Sequence, residues 1–414
     1  MSDESPSTEE LEETHEPAPI NLDLSPHFGL DSSITFLNHG SFGACPRRIQ
    51  HHQTDLQRQM EAEPVRFFTR ELPVLLDRAR GNLADFIGAT SKNLAFVTNT
   101  TEAVNSVLRS MELSPGDEIL VTDHGYGACI NASHFVADRA GAEVVTANLP
   151  YPVEDPEQIV EAIVSEVTDR TRIAVIDHIT AFTAMVLPIS AIVDALRERG
   201  VETLVDGAHA PGMVDLDLDG LGAAYYAGNC HKWLCCPRGS AFLHVRSDLL
   251  ETVRPLAISH GATLEMDGRS RFHLEFDWTG TRDPTAWLCV PETIRFLASL
   301  VPDGWEGIRR RNRKLAIESR RLLCDVVGSE PLYPDSMVGF TGCIELPPGD
   351  EPPPKTPFES DPLQVDLFNE EGIQVPIFIV LDPPRRLLRI SVQVYNMAAD
   401  YQKLATALDG HLNR

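Results

Sequence analysis

The chain has 414 residues, 43% of them hydrophobic and 7% aromatic, enough for a large core and two domains. Its formal charge of −26 argues against nucleic acid as a partner, because a phosphate backbone recruits Lys and Arg. It has no basic segment leading into an apolar leader and no run near the ~18 apolar residues of a membrane span, so a cytoplasmic protein with no membrane partner is expected.

In chain order, an acidic segment comes first. Eight of the 61 acidic residues fall in the first 23 positions, together with Pro6, Pro17 and Pro19 and no Lys or Arg. Residues 1–30 are expected to be a solvated tail, and residues 31–60 a segment packing on a small C-terminal domain. From about residue 70 to 250, short apolar runs alternate with amphipathic stretches. Residues 94–98 (LAFVT), 118–122 (EILVT), 143–146 (EVVT), 173–176 (IAVI), 203–205 (TLV) and 241–245 (AFLHV) read as strands. Segments 156–167 and 189–199 repeat their apolar residues at three and four, as helices do. This predicts an α/β fold with a mainly parallel sheet covered on both faces, in a large domain of residues 61–295. A smaller α+β domain, 296–414, follows, with a long helix over 305–327, a proline-dense loop at 347–362, a strand at 387–394 and a final helix at 399–412. The eight cysteines are scattered, as in a reducing compartment, and Cys230, Cys235 and Cys236 read as buried thiols rather than metal ligands.

In such a sheet the ligand lies outside the carboxyl ends of the strands. That rim gathers Thr98 to Thr101, Asp123 to Ala128, Asp206 to His209 and Asn229 to Lys232. Lys232 sits in the apolar stretch AGNCHKWLCC, where a destabilised ammonium serves as an amine nucleophile toward an aldehyde. Asp206 opens DGAHAPG directly after a strand. A buried carboxylate there suits the pyridine nitrogen of pyridoxal 5'-phosphate (PLP), and His209 is in reach of the phenolic oxygen. The competing reading of Asp206 is a helix cap. Thr98 to Asn105 (TNTTEAVN) ends a strand and begins a helix, an arrangement that receives a phosphate or is an ordinary cap.

The stretches LNHGSFGACP, PVRFFTREL, TNTTEAVN, DHGYGA, DHIT, VDGAHAPG, GNCHKWL, GTRDP and RISVQVYN run in one order from residue 37 to 396. In that order the chain resembles the class V aminotransferases, fold-type I PLP enzymes with a seven-stranded sheet, and within them the isopenicillin N epimerase-like branch. The resemblance implies Lys232 as the Schiff-base lysine, Asp206 at the pyridine nitrogen, His209 near the phenolic oxygen and Tyr126 stacked on the ring. It implies phosphate contacts from Thr100, Thr101, Asn229 and His231. Thr281 is implied to reach the phosphate of a second subunit, hence a homodimer with shared sites. Arg389 matches the grip on a substrate carboxylate, and Asn38 and His39 line the substrate side.

The chain departs from the branch at Ala181 and Phe182, where Ser-Pro is usual, and at Gly125, where an acidic residue often stands. These changes touch the substrate side. The expected activity is PLP chemistry at the α-carbon of an amino acid or aminoacyl compound, by epimerisation, transamination or elimination. For epimerisation, Tyr126 and His39 are both candidates for the second acid. A C–S lyase is the alternative. A persulfide-forming desulfurase is disfavoured because residues 370–389 contain no cysteine, and a non-catalytic binding module is disfavoured by the presence of Lys232, Asp206 and Arg389 together.

Overall fold

A computed structural model describes residues 22–349 and 359–412. The acidic stretch up to residue 21 and most of the proline-dense loop lie outside the described residues. The described end of the expected tail is packed rather than solvated, with Leu24 and Phe28 buried and Phe28 edge-on to Tyr395 at 4.8 Å. The short strand β1 (Thr35–Phe36) follows.

Seven strands then build the main sheet: β2 (Leu94–Val97), β3 (Glu118–Thr122), β4 (Glu143–Ala147), β5 (Thr171–Asp177), β6 (Glu202–Asp206), β7 (Tyr225–Asn229) and β8 (Ala241–Val245). Their order is β2-β8-β7-β6-β5-β3-β4. Only β8 runs against its neighbours, pairing antiparallel with both β2 and β7. The other six strands therefore end on one rim. Side chains alternate across a strand, and here both faces are buried in every strand but the edge strand β4. Leu94, Phe96, Leu120, Ala174, Ile176, Val205 and Phe242 join one core, while Ala95, Val97, Ile119, Val121, Ile173, Val175 and Leu204 join the other. That double burial explains why these strands read as nearly continuous apolar runs.

The smaller unit pairs β9 (Thr341–Glu345) with β12 (Arg385–Ser391) and β12 with β11 (Ile377–Val380), all antiparallel. The two-residue strand β10 (Ile373–Gln374) instead pairs in parallel with β1. The helices Gly304–Val327 and Ala398–Leu412 lie against this unit. The boundary expected at 295/296 falls inside the helix Val290–Ala298, a continuous element, so a division at the following turn, 299–303, fits the backbone better. Segment 31–60 touches both parts. β1 joins the small unit, whereas the helix Arg47–Ala62 reaches the large one through Gln53 to Thr285 (3.2 Å) and Gln57 to Asp283 (2.9 Å). Among the described residues, no helix is long and apolar enough to cross a membrane.

Candidate active site

Lys232 lies in the connection between β7 and β8, where the chain turns back on itself. Cys235 donates its N–H to the Lys232 carbonyl at 2.9 Å and takes a left-handed backbone (φ 59°), closing the turn. Two glycines let neighbouring segments approach this turn. A Cβ on Gly43 would lie 2.0 Å from the His231 carbonyl oxygen, and one on Gly212 would lie 2.9 Å from the Trp233 carbonyl. Both have positive φ. Lys232 Nζ sits 2.9 Å from His209 Nε2, and Trp233 donates its indole N–H to His209 Nδ1 at 3.1 Å. Burial, then the Arg389 charge, lowers the Lys232 ammonium to about 8. Burial and the Lys232 charge hold His209 well below the usual histidine range. DGAHAPG and GNCHKWL thus meet as one unit through His209 and Lys232, 23 positions apart in sequence.

Asp206 ends β6 and is buried. Its Oδ1 accepts the Ala208 N–H at 2.9 Å and its Oδ2 accepts the Cys129 thiol at 3.0 Å. It therefore caps its own turn rather than a helix. Beside it in register on β5 stands Asp177, also buried, whose carboxyl is pushed well up by burial and by the Asp206 charge. With Asp177 pushed toward its neutral form, the pair would carry less negative charge than two full carboxylates where a protonated pyridine nitrogen would sit. Tyr126, at the start of the helix Gly127–Ala140, gives its backbone N–H to Asp177 and leaves its ring exposed on the rim.

The helix Thr100–Ser110 carries at its start the residues expected to receive the phosphate. Asn99 caps it by accepting the Glu102 N–H at 2.8 Å, so the ordinary cap is present as well. Asn229 Oδ1 accepts the Thr100 N–H at 2.9 Å and ties the helix start to β7. The Thr100 hydroxyl is buried without a partner, an unmet polar group at a helix N-terminus, where an anion is favoured. Thr101 is half-buried beside it. His231 gives Nδ1 to the Ser240 carbonyl at 2.8 Å, and burial lowers it to about 4. Thr281 is exposed in the loop before the helix Thr285–Leu288, and nothing in this single chain brings it to the other residues.

Arg389 projects from β12 and is buried. Its guanidinium donates to the Ala181 carbonyl, to Asn38 Oδ1 at 3.3 Å and to Ser41 Oγ at 3.1 Å, while its Nε–H has no partner. Among the described residues it makes no ion pair. Burial lowers it to about 10. A buried cation held only by neutral oxygens is incomplete without an anion. His39 does not point into this space: it is fully buried, with Nδ1 on the Tyr395 hydroxyl at 2.9 Å and Nε2 on the Lys232 carbonyl at 3.0 Å. It holds the lysine's backbone instead.

Ser41, Cys129, Asp177 and Phe378 join the site without having been singled out by sequence. DHIT does contain Asp177, but only the register of β5 on β6 sets it beside Asp206.

The rim site on a seven-stranded sheet, with a buried lysine, a carboxylate and a helix start, defines the fold as that of the fold-type I PLP enzymes. The aminotransferase class-V family model matches residues 47–331, and the chain belongs to that family. It is 36% identical to an isopenicillin N epimerase of Streptomyces clavuligerus, over 92% of this chain and 95% of that one. It is 33% identical to a putative L-cysteine desulfhydrase of Oryza sativa subsp. japonica, over 92% and 83%. A solved cysteine desulfurase of Escherichia coli shares the fold with a TM-score of 0.75 at 20% identity, covering 94% of this chain and 97% of that one. The protein is thus a PLP enzyme of class V, and the unpartnered Thr100 hydroxyl, the Asp206 carboxyl and the Lys232 amine fit that cofactor.

Proposed function

We propose that the protein moves the α-proton of an amino acid or aminoacyl compound, in the manner of an epimerase of the isopenicillin N epimerase type. The observation that carries this reading is the pair of buried basic groups, Lys232, whose amine lies against His209 and is freed of its proton more readily than usual, and Arg389, without a counter-ion among the described residues. PLP, when bound, supplies an electron sink for the carbanion left at the α-carbon. Asp206 would hold the pyridine nitrogen protonated, and Thr100, Thr101, Asn229 and His231 would hold the phosphate. Arg389 takes the substrate carboxylate in a two-point grip and orients the α-hydrogen. Lys232 Nζ then removes that hydrogen as general base. Inversion needs a second donor on the other face. Because both ring nitrogens of His39 are engaged, Tyr126, with its ring exposed on the rim, is the better candidate.

Elimination of a sulfur leaving group is the second reading, favoured by the likeness to the desulfhydrase. It begins with the same proton removal and needs no nucleophilic thiol. Incubation of the holoprotein with amino acids and their sulfoxides in heavy water separates the two. α-Deuterium with inverted product supports epimerisation, and a keto acid with ammonia supports elimination. Failure of every substrate to exchange its α-proton would remove the common step.

The proposal includes a cytoplasmic homodimer in which Thr281 completes the partner's phosphate site. The apolar side chains Phe42, Val65, Val74 and Ile258 support it, being 63–73% exposed on the single chain. Equilibrium sedimentation of a dilution series tests it, and a monomer at micromolar concentration would overturn it.

A further inference from the structure

Resting on the reading above, we infer that Phe182 and Phe378 form a side-chain subsite beside Arg389 that selects amino acids with large apolar groups, aromatic or thioether, over small polar ones. Phe182 and Phe378 meet edge to face, with ring centres 5.0 Å apart and planes at 71°. On its other side Phe182 faces Tyr126 at 6.5 Å, tilted by 34°. The Arg389 guanidinium lies 5.1 Å from the Phe378 ring centre. Phe378 is paired with Leu387 across β11 and β12, so Arg389, two residues along, shares its face of the ladder. The carboxylate grip and the aromatic pair are therefore adjacent parts of one wall.

That wall is built, not incidental. The loop carrying Phe182 is pinned from below by buried hydroxyls. Thr183 donates to Thr180 at 2.8 Å, Thr180 accepts the Met185 N–H at 2.9 Å, and His124 Nδ1 meets Thr183 at 2.9 Å. The same loop gives the Ala181 carbonyl to Arg389. Hence the backbone that fixes the guanidinium also fixes the Phe182 ring. Both rings remain partly exposed, with apolar surface still to cover. The Asn38 Oδ1 and the Ser41 hydroxyl are engaged by Arg389, so a polar substrate group over the two rings would lose water for few replacement partners. An apolar group covering both rings gains instead.

The test titrates the holoprotein with L-alanine, L-serine, L-cysteine, L-methionine, L-phenylalanine and S-benzyl-L-cysteine, following the cofactor's absorbance. The last three are expected to bind on the order of 30-fold more tightly than serine, as burial of a large side chain predicts. In Phe182→Ser and Phe378→Ala the phenylalanine-to-alanine preference should fall about tenfold, while Phe182→Leu retains most of it. Equal binding of serine and phenylalanine, or a preference unchanged in both truncations, overturns the subsite while leaving the α-carbon reading intact. No spectral response and no α-deuterium exchange with any of the six would overturn both.

Discussion

Trp233 donates its indole N–H to His209 Nδ1 at 3.1 Å, while Lys232, its neighbour in sequence, meets the opposite nitrogen of the same ring at 2.9 Å. An indole nitrogen only donates, so Nδ1 is bare and the neutral ring keeps its proton on Nε2. Nε2 then donates and the lysine accepts as a free amine, the form it takes above about 8. Two consecutive residues thus set the proton inventory of the nucleophile through a third. Removing the indole donor should undo this. In Trp233→Phe, His209 is free to move its proton to Nδ1 and accept from an ammonium. The Lys232 titration should rise from about 8 by on the order of one unit. The pH dependence of PLP uptake by cofactor-free protein reads this directly, and an unchanged midpoint would refute it.

Lys232 burdens the fold as well as serving the site. Its folded form titrates near 8 and its unfolded form near 10.5, so below 8 both states hold the proton and the burial cost is complete. Between those values only the unfolded chain keeps it, so stability rises with pH; above 10.5 the cost is gone. Lys232→Met should therefore stabilise cofactor-free protein at pH 7 by about 3 kcal/mol, with the advantage fading toward pH 10. Denaturant melts of both proteins at the two pH values check the sign and the window.

Arg389 is expected to act on substrate and not on cofactor. Arg389→Met removes a charge-assisted two-point contact and should weaken amino-acid binding by roughly 10- to 100-fold while PLP stays bound. Arg389→Lys should recover only part, because a single ammonium does not reproduce the fork that spans Ala181, Asn38 and Ser41. Spectral titration with one substrate gives both values. Loss of cofactor from either variant would contradict the assignment.

The Thr100 hydroxyl has no partner among the described residues, so its deletion should cost the apo fold nothing and the holo form something. Thr100→Val is predicted to leave the cofactor-free melting point unchanged or slightly raised. It should speed PLP release about tenfold, one neutral-to-anion hydrogen bond's worth. Dialysis against a PLP scavenger measures the second effect. A lowered apo melting point would mean that the hydroxyl serves the fold.

The sequence was most informative where chemistry is local. Asp206 and His209 stand at and just past the end of a strand legible as an apolar run, Lys232 stands in an apolar stretch of its own, and six strands were visible as such runs. β7 was not among them: YYAGN is short, holds Gly228 and ends in a polar residue, so its strand character comes from its neighbours β6 and β8. Contacts between distant segments were invisible for the same reason. The pairing of His39 with Tyr395 spans 356 positions, and no spacing rule points from one to the other. Without that partner, a histidine in LNHGS reads as a substrate contact. Asp177 was hidden differently. A carboxylate at the end of an apolar strand looks like a rim residue until the register puts a second one beside it.

The His39 contact also bears on how the protein is made. Leu37 accepts the Ser391 N–H at 2.9 Å, Gly40 donates to Ser391 Oγ at 3.1 Å, and His39 bridges Tyr395 to the Lys232 backbone. The segment that braces the lysine thus leaves the ribosome 351 positions ahead of the strand that braces the segment. Until residues near 395 have emerged, the sheet can assemble around its central strands, but the nucleophile's turn lacks its brace. Cofactor capture would then wait on the emergence of the residues around Tyr395.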